Sequence, residues 1–499
     1  MERETSPRRQ FIKSGMLAAA TLAAGKSLSA QDNIVIDEAA SPEAGPVLAE
    51  STAPTTSKDA VRDEYDGFSR YKPSRGNDPD SDYYLGKLVP GFRKAEDGPA
   101  PFVTPDLERL PFVMKDGAKQ FELVAQSVRR EFLPGYEMDV WGYNGSMPGP
   151  TIEVTQGDRV RIIVHNELPE PTTLHCHGFE LPVQQDGAMT LTQNPIMPGK
   201  SYVYEFDIHE SGTFFYHSHT AMQEAFGMVG WFIVHPKKVF DPPVDRDFGL
   251  LFQNFHIQPN QTISNSWSMD WNWHTINGRS GPFTTPVVVK HGERVRIRLL
   301  DFSPMQHHPI HMHGHTFWLT AHEGARAPKS AWIPRNTELV GVAQASEFEF
   351  IANNPGDWMF HCHMVHHMMN HMVEQVGPRI RPDSNVDTFL TDLDHRPSVD
   401  MKHPQGFATP GYPQGMQGMQ MSDKFMKAIW SRREVQGMRA TWPMSVHGLM
   451  TLLRVLPDDL YQQVMETDDV AKGSVFEEIV KRFGTPETYQ KAPMMKMGH

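Results

Sequence analysis

Residues 356–372 read GDWMFHCHMVHHMMNHM, a run that holds five histidines and one of the two cysteines of the chain. An earlier stretch, residues 212–219, reads GTFFYHSH and has the same pattern, with Ser218 at the position of Cys362. Both stretches resemble β-strands, and side chains two positions apart in a strand share a face. Each His-x-His pair can therefore direct two imidazoles at one point, while the residue between them points to the opposite face. The pattern predicts a metal site.

The sequence around these motifs also repeats. The stretch NGSMPGPTIEVTQGDRVRIIV (residues 144–164) is echoed by NGRSGPFTTPVVVKHGERVRIRLL (residues 277–300), and His-x-His-Gly occurs at 175–178 and again at 311–314. A period of about 140 residues indicates two copies of one domain. Short β-branched segments separated by turn residues are typical of an all-β Greek-key sandwich. We therefore predict an all-β protein built from two such domains.

The chain divides into five predicted segments. These are a signal peptide (1–30), an extended, partly disordered arm (31–111), a first β-domain (112–240), a second β-domain (241–382) and a Met-rich, partly helical C-terminal extension (383–499). In the extension, the spacing of apolar residues predicts helices at 422–433, 445–456 and 475–484. Its methionines are interpreted either as packing residues or, at 415–421 and 494–499, as thioether ligands for cuprous ions.

Charge and the N-terminal residues limit the function classes. The formal net charge of −13 argues against nucleic-acid binding, which requires a positive surface. Arg8 and Arg9, followed by an apolar run and small residues near Ala30, have the order of a twin-arginine export signal. We therefore expect a periplasmic or secreted protein. No later apolar run approaches the length of a bilayer span, so we expect no membrane-spanning segment.

Cys362 predicts a second metal site, separate from the histidine pairs. In a strand it points away from the histidines on either side of it, yet it is joined to both by short stretches of chain. The loop that follows places His367 five residues and Met372 ten residues after the cysteine, and His308 comes from a facing strand. Two His, one Cys and a weak Met are the ligand set of blue-copper electron-transfer sites.

These motifs together resemble the multicopper oxidase family over about residues 115–380. HCHG and HSH are similar to the family's first two signatures, and HPIHMHGH and HCHMVHHMMNHM to its third and fourth. The resemblance implies cupredoxin-like domains and four coppers, held as follows: type 2 by His175 and His311; the type 3 pair by His177, His217, His219, His313, His361 and His363; type 1 by His308, Cys362, His367 and Met372. Family members take single electrons from a reductant at type 1, pass them through the cysteine, and reduce O2 to water at the trinuclear type 2 and type 3 cluster.

The spacing of the motifs resembles the two-domain, small-laccase type. Only 89 residues separate His219 from His308, which leaves no room for a third domain between the second and third signatures. In that type the trinuclear cluster forms where the first domain of one chain meets the second domain of another, so the resemblance implies a homotrimer. Asp186 lies where the family places a carboxylate near the type 2 copper, and we interpret it as a proton relay or, more simply, as a turn residue before Gly187.

Overlaying the two repeats predicts that only the second domain keeps a type 1 site. Thr172, Ser218 and Gln223 take the positions of His308, Cys362 and His367, while Met228 takes that of Met372. The first domain therefore lacks the thiolate and both imidazoles. Cys176, the other cysteine, is expected to be a packed thiol.

The function predicted by these residues is that of a laccase-like oxidase. Its reductant would be a phenol, an aromatic amine or a reduced metal ion. One alternative is copper handling, in which the Met-rich extension collects cuprous ions and the enzyme oxidises them. Another is a copper nitrite reductase, which the complete set of eight cluster histidines and the serine at position 218 disfavour.

Overall fold

The computed structural model describes residues 91–257, 261–266, 269, 271–368, 370, 423–467 and 469–484 of the 499-residue chain. Four predicted features lie outside these residues: the signal peptide, the arm before residue 91, the type 1 ligand Met372, and the methionine clusters at 415–421 and 494–499.

The first domain consists of two β-sheets with a hydrophobic core between them. Its strands are β2 (Val113–Lys115), β3 (Ala118–Leu133), β4 (Tyr136–Tyr143), β5 (Gly149–Thr155), β6 (Arg159–Asn166), β7 (His175–His177), β8 (Ser201–Asp207), β9 (Gly212–His217) and β10 (Val229–His235). One sheet has the order β2-β3-β6-β8, with β4 paired to β3, and the other has the order β5-β10-β9-β7. The predicted all-β class is confirmed for this domain.

The second domain repeats this arrangement with more strands. Its strands are β1 (Phe102–Val103), β11 (Arg246–Phe255), β12 (Trp273–Ile276), β13 (Val287–Lys290), β14 (Arg294–Asp301), β15 (His308–Met312), β16 (Phe317–His322), β17 (Ile333–Arg335), β18 (Thr337–Val340), β19 (Gln344–Ile351), β20 (Gly356–Cys362) and β21 (Met450–Leu456). One sheet has the order β1-β11-β14-β19-β16-β17, with β12 paired to β11. The other has the order β13-β21-β20-β15-β18.

The alternation of apolar and polar residues explains which faces are buried. In β6, Val160, Ile162 and Val164 are fully buried in the core of the first domain, and the intervening residues are only partly buried. β14 is buried on both faces, because its apolar residues enter the core of the second domain while its arginines form buried ion pairs with Asp247 and Glu349. Period-two patterning directs the two kinds of side chain to opposite faces of the strand.

A buried ion-pair network joins the two domains. Arg298 donates to Asp247 at 2.7 Å and to Glu347 at 2.9 Å, and it also donates to the hydroxyl of Thr213 in β9 at 2.7 Å. All four side chains are almost completely buried. Buried charges are tolerated when they are paired and hydrogen-bonded. The network therefore fixes β9, which carries one histidine motif, against the sheet of the second domain.

Helices flank the sheets, and one predicted helix is wrong. The α-helices are α1 (Ala221–Ala225), α2 (Asp423–Trp430), α3 (Asp458–Glu466) and α4 (Ser474–Phe483). Short 3-10 helices occupy Ala95–Asp97, Val183–Gln185, Lys329–Ala331, Val365–Met368, Arg433–Val435 and Trp442–Met444. α2 and α4 match the predicted helices at 422–433 and 475–484. The stretch 445–456, also predicted as a helix, instead contains β21.

β21 changes the limits of the second domain. It pairs antiparallel with β20 and parallel with β13, so it lies inside the sheet that carries Cys362. Leu453 and Val455 are fully buried in the core of this domain. The predicted boundary at residue 382 is therefore too early, because a strand assigned to the C-terminal extension completes the second sandwich.

The described end of the arm is folded. Phe102 and Val103 form β1, which pairs in parallel with β11 of the second domain, and Leu110 is buried in the core of the first. The prediction of an extended, partly disordered arm is thus wrong for residues 91–111, which cross from one domain to the other. None of the helices in the described part of the chain is both long and apolar enough to cross a membrane.

Candidate metal centre

Strand pairing brings the four histidine motifs together two by two. In the first domain β7 pairs with β9 so that His175 lies opposite His217. In the second domain β15 pairs with β20 so that His311 lies opposite His361. Directly opposite residues place their side chains on the same face, about 5 Å apart. Each domain therefore presents four imidazoles on one face, as the His-x-His spacing predicted.

The first-domain quartet comprises His175, His177, His217 and His219. The ring of His175 lies 5.2–5.5 Å from each of the other three rings, measured between centroids. Its Nδ1 donates to the carbonyl oxygen of Asp186 at 2.7 Å, and the Nδ1 of His217 donates to the carbonyl oxygen of Ser218 at 2.7 Å. Such bonds fix the tautomer and leave Nε2 unprotonated for a metal.

The second-domain quartet, His311, His313, His361 and His363, is held in the same way. His311 Nδ1 donates to the carbonyl oxygen of Asn336 at 2.8 Å, and His361 Nδ1 donates to that of Cys362 at 2.8 Å. The Nε2 atoms of His313 and His361 lie 3.1 Å apart. The two quartets therefore share both their strand arrangement and the main-chain acceptors that orient their rings.

Burial keeps several of these imidazoles in the neutral form that binds metals. Desolvation, with smaller contributions from neighbouring histidines, lowers the pKa of His177 to about 4 and that of His361 to about 4. For His217, burial lowers the pKa to about 3, against an opposing hydrogen bond to the Ser218 carbonyl. Neutral imidazole is the commonest metal ligand in proteins.

On the opposite face of β20, Cys362 forms a second group with His308 and His367. The Sγ of Cys362 lies 3.5 Å from the Nδ1 of each histidine, and the two Nδ1 atoms lie 3.1 Å apart. A point about 2 Å from all three atoms exists in their plane, close to the bond lengths of N and S donors to first-row metal ions. The trio therefore fits a His2Cys copper site.

The trio is deeply buried and tightly packed. Cys362 and His308 are completely buried, and His367 is 2% exposed. The Nε2 of His308 is held by the hydroxyl of Ser303 at 2.7 Å, and the ring of His274 packs against His367 at a tilt of 33° with centroids 4.4 Å apart. Burial raises the pKa of the Cys362 thiol to about 12, so metal binding must displace its proton.

Comparison with known proteins identifies the family. The multicopper oxidase description applies to two family models, one matching residues 125–239 and the other residues 254–379. The chain belongs to the multicopper oxidase family. Membership implies copper cofactors and oxidoreductase chemistry, and the donor sets described above fit that metal.

Three relatives illustrate the range of this multicopper oxidase's similarity. A probable nitrite reductase-hydroxylamine oxidoreductase fusion protein of Kuenenia stuttgartiensis is 30% identical over 274 residues, which cover 51% of this chain and 31% of that protein. Laccase-1 of Agaricus bisporus is 34% identical over 34% of this chain and 37% of its own length. Copper resistance protein A of Escherichia coli is 33% identical over 29% of this chain and 24% of its own. The chain thus spans less than two fifths of these relatives.

The match to one solved structure covers a larger share of the matched protein's chain. The blue copper oxidase of Nitrosomonas europaea is 30% identical, and the match covers 50% of this chain and 81% of that one with a TM-score of 0.47.

In this multicopper oxidase the first domain contains a polar counterpart of the Cys362 trio. The hydroxyls of Thr172 and Ser218 each donate to the Oε1 of Gln223 at 2.7 Å, and the two hydroxyl oxygens lie 3.3 Å apart. All three side chains are completely buried. The predicted overlay of Thr172, Ser218 and Gln223 on the three ligands is therefore matched in space, and the first-domain positions hold hydrogen-bonded oxygen groups.

Asp186 lies at the first-domain quartet, as its sequence position suggested. Its carbonyl oxygen orients His175, and its carboxylate oxygen lies 3.5 Å from the same Nδ1. Cys176 is buried and forms no disulfide, which agrees with a packed thiol. His366, the neighbour of the ligand His367, is exposed.

A second carboxyl group at this quartet is missed by the sequence motifs. The Oε1 of Glu224, in α1, lies 3.7 Å from the Nδ1 of His217, and burial raises the pKa of its carboxyl to about 7. Glu224 directly follows Gln223, the counterpart of His367. Overlaying the two repeats could have identified Glu224, because it is a carboxyl group at a position where the second domain has Met368.

The structure assembles each quartet inside its own domain. Among the described residues, no ring of the first quartet is paired with a ring of the second. His219 and His363 are exposed, His175, His177, His311 and His313 are half-buried, and His217 and His361 are buried. Each quartet is thus a half-site that is open on one side.

Proposed function

We propose that this chain is a laccase-type oxidase that takes single electrons from a reductant and uses them to reduce O2 to two waters. Four bound coppers, one of type 1, one of type 2 and two of type 3, would supply one-electron redox chemistry at the thiolate and the reduction of O2 at the histidines. The observation that carries this proposal is the position of Cys362 between His361 and His363.

The residues of β20 provide the connection between the two sites. Cys362 points to the trio on one face while His361 points to the quartet on the other. A second link runs through the hydrogen bond from His361 Nδ1 to the carbonyl oxygen of Cys362 at 2.8 Å. The thiolate and the cluster ligands are therefore separated by a few covalent bonds and one hydrogen bond.

Protons for water formation would come from carboxyl groups beside the first-domain quartet. Asp186 and Glu224 flank His175 and His217 from different sides. Glu224, with a pKa raised to about 7 by burial, would hold its proton close to neutral pH and release it to reduced oxygen. We assign both residues the role of proton donors.

The two open half-sites support a cluster formed between subunits. Eight histidines can bind three metals only where a first domain meets a second domain. We propose a homotrimer in which the first domain of each subunit meets the second domain of the next.

Mixed oligomers test this arrangement. His217→Ala and His361→Ala chains are each expected to be inactive alone, because each lacks one half-site. Co-expression of the two should restore part of the oxygen uptake, since some interfaces then combine two intact half-sites. A lack of recovery would indicate that the cluster is assembled within one chain. A light-scattering mass other than that of three wild-type chains would contradict the homotrimer.

A copper-handling role is the second candidate, and the burial of the type 1 ligands favours it. His308 and His367 are 0% and 2% exposed, and His274 packs against the latter, so a bulky phenol has no direct access to either ring. A small reduced metal ion, bound near the surface, would require less access. The similarity to copper resistance protein A also supports cuprous ions as the reductant.

Oxygen consumption by copper-loaded protein discriminates these functions. A phenol, Cu(I), Fe(II) and Mn(II) should be compared, with Cys362→Ser as the inactive control. Dominant turnover of Cu(I) that falls when Met416, Met419 and Met421, or Met494, Met495 and Met497, are replaced by leucine would support copper handling. Nitrite turnover without oxygen uptake from any donor would contradict the oxidase proposal.

We also propose export through the twin-arginine signal, to the periplasm or the medium. Replacing Arg8 and Arg9 by lysine keeps the charge and removes the arginine pair. The double variant is expected to stay inside the cell, as measured by fractionation and immunoblotting, and its export at the wild-type level would contradict the proposal.

A further inference from the structure

We infer that the axial position of the type 1 site belongs to Leu449, directly before the last strand of the second domain, and not to Met372. The inference rests on the proposed type 1 site and specifies its fourth position. The sequence motif selects Met372 because it lies ten residues after Cys362, as Met228 lies ten residues after Ser218. The strand order gives a different assignment.

The strand that follows the motif begins at very different separations in sequence from the motif in the two domains. In the first domain β10 pairs antiparallel with β9 and parallel with β5. In the second domain the strand with the same two neighbours is β21, which pairs antiparallel with β20 and parallel with β13. β10 begins 11 residues after Ser218, whereas β21 begins 88 residues after Cys362. A long insertion therefore separates the second motif from the strand that should follow it.

Two matched main-chain hydrogen bonds define the equivalent residue. In the first domain Ser218 N–H donates to the carbonyl of Met228 at 3.2 Å, and Met228 N–H donates to the carbonyl of Gln223 at 3.3 Å. In the second domain Cys362 N–H donates to the carbonyl of Leu449 at 3.0 Å, and Leu449 N–H donates to that of His367 at 2.8 Å.

Because Cys362 and His367 are the counterparts of Ser218 and Gln223, these bonds place the backbone of Leu449 where the first domain has Met228.

The strand register also places the side chain of Leu449 beside Cys362. His361 pairs with Met450, so Cys362 lies opposite Leu449, and opposite residues share a face. Both residues are completely buried in one core cluster. Met450, one position later, points to the other face, and its sulfur accepts the N–H of His447 at 3.4 Å. The thioether nearest in sequence to Leu449 is therefore directed away from the trio.

The two ends of the insertion are clamped at the site. The side chain of Asn370, at the start of the insertion, accepts the N–H of Gly448 at 3.0 Å and donates to the carbonyl of Gly281 at 3.0 Å. Asn370 is 4% exposed. This clamp holds Leu449 in register with Cys362 independently of the path taken by the residues between them.

A leucine at this position would leave a bound metal with two imidazoles and one thiolate, and without a thioether. The axial ligand and the hydrophobicity around the cysteine sulfur tune the reduction potential of such sites. A thioether donates electron density to the oxidised ion, so its absence raises the potential. We therefore expect this type 1 site to be a stronger oxidant than the Cys-x4-His-x4-Met motif suggests.

Three single variants test the assignment, with Met450→Leu as the matched control. Leu449→Met should lower the type 1 reduction potential, measured by redox titration of the thiolate-to-copper absorption, and should change the copper hyperfine splitting in the electron paramagnetic resonance spectrum. Met372→Leu and Met450→Leu should leave both unchanged. A rise in potential on Met372→Leu, with no effect of Leu449→Met, would overturn the inference.

Two further results keep the test decisive. If Leu449→Met does not fold, a crystal structure of the copper-loaded wild type decides, because it shows either the Leu449 methyl groups or the Met372 sulfur at the axial position. Absence of the blue absorption from copper-loaded wild type would contradict the proposed function itself. Presence of the band with a Met372-dependent potential would contradict only the assignment of Leu449.

Discussion

The two domains carry nearly the same scaffold around two different sets of side chains. In one, Thr172, Ser218 and Gln223 form a buried cluster of hydrogen-bonded oxygens, and in the other the three corresponding residues place one sulfur and two nitrogens within 3.5 Å of each other. The strand pairing and the main-chain hydrogen bonds around the two clusters correspond. The backbone thus defines a pocket, and three side chains decide whether it suits a metal.

The outward faces of the same strands differ much less. Each domain has a quartet of histidines, and His217 and His361 both donate to the carbonyl of the next residue, at 2.7 and 2.8 Å. The histidine quartet is therefore present in both domains, while the cysteine ligand of the trio is present in the second domain and is replaced by Ser218 in the first. Under the proposed function, electrons would therefore enter through the second domain alone.

The largest expected effect comes from making the second pocket resemble the first. Cys362→Ser should abolish the blue absorption and reduce oxygen uptake to background, because a serine hydroxyl does not replace the thiolate. Copper analysis should show loss of one ion per chain. Cys176→Ser, in the buried core of the first domain, serves as the control and should keep the absorption.

The reverse change sharpens the comparison. In the Cys362→Ser background, Thr172→His, Ser218→Cys and Gln223→His together should bring back a thiolate-to-copper absorption, now in the first domain. The larger histidines overpack this core, so we expect a loss of stability of about 1–3 kcal/mol. A folded variant without the absorption would show that the scaffold alone does not define the site.

A smaller effect is expected from replacing the proposed proton donor Glu224, whose counterpart in the second domain is Met368. Glu224→Gln should slow oxygen turnover by about tenfold to a hundredfold, because it removes the proton beside His217. Reduction of the type 1 site by the donor under anaerobic conditions should keep its rate. Met368→Leu, at the equivalent position in the second domain, should leave both rates unchanged.

The smallest effect concerns the support of His308. Ser303→Ala removes a buried hydrogen bond of 2.7 Å to its Nε2 and should lower the free energy of unfolding by about 1 kcal/mol. Chemical denaturation of the copper-free protein measures this change. Ser303→Thr keeps the hydroxyl and should restore most of the loss, whereas equal destabilisation by both variants would indicate a packing effect.

The residues of the site follow from sequence more directly than the strands that complete it. His-x-His spacing and the repeat identify both quartets and the Cys362 trio, because strand periodicity alone decides which side chains share a face. The spacing of apolar residues predicts a helix over 445–456, but a short apolar run such as MTLLRVL (450–456) is compatible with a helix or a buried strand. Its partners at 287–290 and 356–361 are remote in sequence, so tertiary pairing decided the outcome.

Contributions to the site from outside the motifs were not predictable in this way. His274 approaches the imidazole of His367 from a neighbouring strand, and no local spacing relates it to the ligands. The motif spacing selects Met372, so it gives no indication of Leu449. Local spacing shows which side chains of a strand share a face, and long-range strand pairing determines which residues of different strands come together.

The strands β1 and β21 have a consequence for how the protein is made. The second domain takes one strand from residues 102–103, before the first domain begins, and another from residues 450–456. Contacts so distant in sequence form slowly, and a ribosome delivers the last of them late. A growing chain therefore presents the four first-domain histidines long before residue 449 can close the pocket around Cys362. A copper ion at Cys362 would therefore have a complete pocket only after residue 449 has been synthesised.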